Sequence, residues 1–104
     1  PMEDDRRVFS RTLKELTGMD PKTFSIAYGG VWADYEAPVS LAQAALEVGT
    51  DAKTLVGVLS KQAKATGYTD TVLAVYLLPR PGLIPRRHFE EAYGLAQTVM
   101  RVWK

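Results

Sequence analysis

Apolar residues recur with helical spacing along most of this chain, most clearly from Ser40 to Thr66, SLAQAALEVGTDAKTLVGVLSKQAKAT. Ser40 can cap a helix by accepting from a free amide of the first turn, and Gln43, three residues on, completes a capping-box pattern. Leu41, Ala44, Ala45 and Val48 then fall at i, i+3, i+4 and i+7, one helix face. Gly49 suits the left-handed position that ends many helices. Asp51 starts a second helix with the apolar stripe Leu55, Val58, Leu59 and Ala63. Lys53, Lys61 and Lys64 are left for its wet side, and Gly67 stops it.

The segments on either side follow similar rules. A first helix is predicted from about Asp4 to Leu16, burying Phe9, Leu13 and Leu16 with Val8 and Thr12 beside them and ending at Gly18. Asp20-Pro21 is a helix start, since Asp caps and Pro fits the first turn. Phe24, Tyr28, Val31, Trp32 and Tyr35 continue it as one face until Glu36-Ala37-Pro38. Gly29-Gly30 also fits a hairpin turn, with strands on both sides of it. The later segment TVLAVYLL fits a short buried helix capped by Thr69 or Asp70, or a buried strand. Pro85 opens a last helix that buries Phe89, Ala92, Tyr93, Ala96, Val99, Met100 and Trp103. The patterns predict an all-α fold, a compact bundle of about six short helices in one domain spanning 1–104, with breaks near 18, 37, 49, 67 and 80. The alternative is α+β, with a 24–35 hairpin paired to a 71–78 strand.

Composition narrows the function classes. With 104 residues, 46% of them hydrophobic, the chain can bury a real core. It has no cysteine, so thiolate metal sites and disulfides are excluded. No apolar run is long enough to span a bilayer and no signal-peptide core opens the chain, so a cytoplasmic protein is expected, without membrane attachment. The one histidine, His88, has no cysteine or second histidine with which to share a metal. There is no nucleophile elbow and no phosphate loop. These readings predict no enzyme activity, no cofactor, no metal and no small-molecule substrate.

The formal net charge is +1, but its distribution is uneven. The middle carries Asp20, Asp34, Glu36, Glu47 and Asp51 against Lys22. From Lys53 onward the chain carries Lys53, Lys61, Lys64, Arg80, Arg86, Arg87, Arg101 and Lys104 against Asp70, Glu90 and Glu91. Opposite patches on one small domain suit contact with a protein partner or another copy. Arg80, Arg86, Arg87 and His88, beside the turn stiffened by Pro79, Pro81 and Pro85, are the candidate partner-binding group.

The segment 41–60 resembles the helix-turn-helix of DNA-binding regulators. Ala45 matches the small residue where the two helices touch, Val48 the apolar residue before the turn, Gly49 the turn glycine, and Leu55 and Val58 the buried positions of the second helix. Thr50 departs from the pattern, where an apolar residue is usual. The resemblance implies nucleic-acid binding, with Lys53, Ser60, Lys61 and Lys64 as candidate contacts. Of the groove-facing positions only Lys53 carries a side chain suited to base reading, and a plain helix hairpin inside a core fits the same pattern. The predicted helix number and lengths also resemble the death-fold family, which includes the caspase-recruitment domains. That resemblance implies a non-enzymatic adaptor that binds like domains through opposite charged patches, with Glu3, Asp4, Asp5 and the acidic middle facing Arg80, Arg86 and Arg87 of a neighbour.

Overall fold

Val8, Phe9, Thr12, Leu13 and Leu16 lie on one side of the first helix, α1 (Asp5–Thr17), and all five are buried. The helix ends where Gly18 turns to φ 78° and donates its amide to the Lys14 carbonyl. The structure, a computed structural model, describes residues 5–28, 40–79 and 86–103. Among the described residues five more helices follow: α2 (Pro21–Tyr28), α3 (Leu41–Val48), α4 (Ala52–Thr66), α5 (Asp70–Leu77) and α6 (Arg86–Val102). No strand occurs among the described residues. The α+β alternative is therefore overturned. Phe24, Ile26 and Tyr28 are helical because Asp20 caps their helix and Pro21 occupies its first turn, and Phe24 stacks on Tyr28, four residues on, at 4.9 Å. Residues 70–77 are helical because Thr69 accepts the Val72 amide. The proposed turn at Gly29-Gly30, and Val31, Trp32 and Tyr35, lie outside the described residues.

Short helices need help at their ends and from packing, because nucleation is unfavourable in water. Ser40 accepts the Gln43 amide at 3.1 Å and Asp51 the Thr54 amide at 2.8 Å. At the other end of α3, Gly49 adopts φ 76° and the Thr50 amide reaches back to the Ala45 carbonyl at 2.7 Å. Only half of the expected capping box forms, since the Gln43 side chain donates to Glu47 Oε1 instead of returning to Ser40.

The bundle closes around α3. It packs on α6, α1 and α5, while α4 packs on α1, α6 and α5. Every residue from Leu41 to Ala45 is buried, Ala42 and Gln43 included, so this first part of α3 has an inner face all the way round rather than one stripe, while Leu46 to Val48 are half-buried. Leu55 and Leu59 of α4, Leu73 and Leu77 of α5, and Ala92, Ala96 and Val99 of α6 complete the core. Phe9 meets Tyr76 edge-on at 5.2 Å and ties α1 to α5.

Two predictions follow from this packing. Leu55 is fully buried, and Leu55→Ala should cost about 2–5 kcal/mol in a urea melt, from lost burial and the cavity left behind. The second concerns acid. The Thr54 amide, and after it the Thr54 side chain, hold the Asp51 carboxyl below its ordinary value. A lowered folded pKa contributes stability above the unfolded value and loses it as pH falls through the folded one. Asp51→Asn keeps an acceptor for the amide but cannot titrate. Its melting temperature should therefore fall less steeply than that of wild type as pH drops below about 4.

Candidate interaction surfaces

Of the expected partner-binding group, Arg80 lies outside the described residues, as do the side chains of Arg86 and Arg87, whose backbone forms the first turn of α6. His88 is half-buried and turned inward. Its Nδ1 sits 3.7 Å from Glu47 Oε1, which also accepts from Gln43 Nε2 at 2.7 Å. The start of α6 thus lies against the outer half of α3, with His88 near Glu47 but beyond hydrogen-bond distance.

The four expected nucleic-acid contacts all lie on exposed positions of α4. Lys53, Gly57, Ser60 and Lys64 fall at i, i+4, i+7 and i+11, one continuous stripe. Open space surrounds Gly57, so the stripe is low at its middle. Lys61 lies beside the stripe, toward α1, and its ammonium pairs with Glu15 Oε1. The same carboxylate accepts from Gln62 Nε2 at 3.1 Å, and Gln62 Oε1 accepts from Arg11 Nε at 2.9 Å. Gln62 is buried, so this network is anchored between the two helices and orients the groups at its edges.

The network places a second set of cations next to the first. Arg7 and Lys14 stand four residues before and three after Arg11, and therefore share its side of α1. All three are exposed. Their i, i+4, i+7 spacing is visible in the sequence, but the pairing of α1 with α4 is not.

On α6 one expectation is corrected. Ala92, Ala96, Val99 and Trp103 are buried at i, i+4, i+7 and i+11, but Tyr93 and Met100 are 43% and 42% exposed. The cause is that α3 and α4 cover one side of α6, and the apolar residues span more of its circumference than that cover. Phe89 stacks on Tyr93, ring centres 5.8 Å apart, and Met100 continues the strip. Exposed Glu90 and Arg101 flank it. A shallow recess of about 280 Å³, lined by Gln97, Met100 and Arg101, opens beside its end.

Among the described residues no group of three or more histidine, aspartate or glutamate side chains could hold a metal ion. No helix among them is long and apolar enough to cross a membrane. Comparison of the chain with protein-family models, with curated proteins and with solved structures finds no match.

Proposed function

We propose that this chain is a protein-interaction module that pairs with a second copy of itself through α6. The supporting observation is the strip on α6 in which half-buried Phe89 stacks on exposed Tyr93 and exposed Met100 continues the line, apolar side chains beside the face that α6 packs in the core. Tyrosine, methionine and arginine are enriched at protein interfaces, where a rigid aromatic ring buries area with little loss of freedom and a flexible thioether adapts to the opposing surface.

The charges beside the strip favour a second copy over an unrelated partner. Glu90 and Arg101 lie near opposite ends of it. An antiparallel pair of α6 helices, related by a two-fold axis near Leu95 and Ala96, sets Tyr93 of one copy against Met100 of the other. The same pairing brings Glu90 toward Arg101 at both ends. Such an interface is self-complementary, as two-fold symmetry requires. Its small apolar area makes the association weak and concentration-dependent.

Sedimentation velocity over a concentration series tests this. Wild type should move from the 11.5 kDa monomer toward a dimer as concentration rises. Met100→Glu should stay monomeric with an unchanged helical melt. Glu90→Arg should weaken the dimer and Glu90→Arg with Arg101→Glu should restore it. A wild type that is monomeric throughout, or a dimer indifferent to Met100→Glu, contradicts the proposal.

A further inference from the structure

We infer that the outer face shared by α1 and α4 binds the phosphate backbone of duplex nucleic acid without regard to sequence. This activity is separate from pairing through α6. In a chain with a net charge of only +1, this face gathers Arg7, Arg11 and Lys14 from α1 and Lys53, Lys61 and Lys64 from α4, all exposed. Arg7, Lys14, Lys53 and Lys64 make no ion pair among the described residues.

Among the described residues three carboxylates border the face: Glu15, Asp51 beside Lys53, and Asp20 near Lys14. Glu15 accepts from Lys61 and Gln62 in the groove between the helices. Asp51 accepts the Thr54 amide at the start of α4. Glu15 is offset by Lys61, while Asp51 keeps its negative charge at the N-terminal end of the stripe, where Lys53 stands beside it. The Gln62 network also holds Arg11 and Lys61 in place, so less freedom is lost on binding.

The shape of the face selects the anion. The Lys53–Lys64 stripe extends about 16 Å at the helical rise per residue, and packed helix axes lie about 8–10 Å apart. Six cations over that area exceed what one phosphate or a short acidic peptide can meet. A duplex carries one charge per roughly 1.7 Å of axis and can meet most of them together. None of the large exposed apolar side chains lies on α1 or α4. The face therefore lacks groups that would insert into a bilayer, and it has no aromatic ring on which an unpaired base could stack. Gly57 and Ser60 at the centre let a backbone approach closely and offer a hydroxyl to phosphate.

This arrangement differs from a helix-turn-helix in its second contact element. The first five residues of α3 are buried in the bundle, and α1 takes the place beside α4. Base contacts have little to work with here, so sequence discrimination should be slight.

The test is fluorescence anisotropy with two labelled duplexes of unrelated sequence, at several salt concentrations starting from about 50 mM. Vesicles of phosphatidylserine and phosphatidylcholine serve as the competing surface. Wild type should bind both duplexes equally, and binding should weaken steeply with salt. Arg7→Glu with Lys14→Glu, and separately Lys53→Glu with Lys64→Glu, should each lower affinity on the order of tenfold to a hundredfold, with a shallower salt dependence. Circular dichroism melts check that both variants fold, and Arg7→Gln with Lys14→Gln serves if the reversals do not. Absence of duplex binding at low salt overturns the proposal. So does loss confined to the α4 variant, which would return contact to a helix-turn-helix arrangement. Binding to the vesicles but not to the duplexes would assign the face to a membrane surface instead.

Discussion

The fold depends on burying the first five residues of an eight-residue helix, α3, from every side. α3 is too short to persist alone in water, since nucleation costs more than its few internal hydrogen bonds return. Its stability comes from α1, α5 and α6 packing round it. The sequence permits this because Ala42, Ala44 and Ala45 leave room for neighbouring backbones, while Leu41 fills the space at the start of the helix. Ser40 and Gly49 close its two ends, so its orphan amides and carbonyls are not abandoned inside the core. In turn, the surrounding helices bury their apolar faces largely against α3 and against one another.

This arrangement determines what remains at the surface. The polar side chains of α3 are used internally, with Gln43 bonded to Glu47 and Glu47 close to His88. The outer faces of α1, α4 and α6 are left to meet other molecules. They differ in chemistry. The α1–α4 face is cationic and has no large apolar group, and the α6 strip is aromatic and thioether with one charge of each sign beside it. A polyanion and a like protein are different demands on a surface, and here separate helix faces carry the features each would use. The two proposed activities are thus compatible, and pairing through α6 would leave α1 and α4 uncovered wherever the paired helices alone touch.

Much of the fold was legible because local signals agreed with each other. Asp20-Pro21, Ser40, Asp51 and Thr69 announced helix starts, Gly18, Gly49 and Gly67 announced stops, and the positive φ of those glycines shows why that residue stands there. The choice between helix and strand at 70–77 could not be made from periodicity, because an all-apolar run has none, and the Thr69 cap decided it. The all-round burial of α3 was only half legible. Ala42 and Gln43 look peripheral by spacing, and only the number of neighbouring helices makes them interior. On α6 the expected surface was wrong for the same reason. Tyr93 and Met100 read as core until the limited cover over α6 is known, while Arg7, Arg11 and Lys14 are exposed and only the pairing of α1 with α4 sets them beside the α4 lysines. The Arg80–Arg87 group remains an expectation from the sequence, apart from His88 and its contact with Glu47.

Native-state hydrogen exchange tests most directly whether α3 is the centre on which the other helices lean. Helical amides usually exchange fastest in short helices, through local fraying. If α3 is held from every side, the amides of Ala45 to Val48 should instead be among the slowest in the protein. Their opening free energy and its denaturant dependence should match those of global unfolding. Exchange of these amides through a local opening of low denaturant dependence, while α4 and α6 stay protected, would show that the bundle stands without α3 and would contradict its central place.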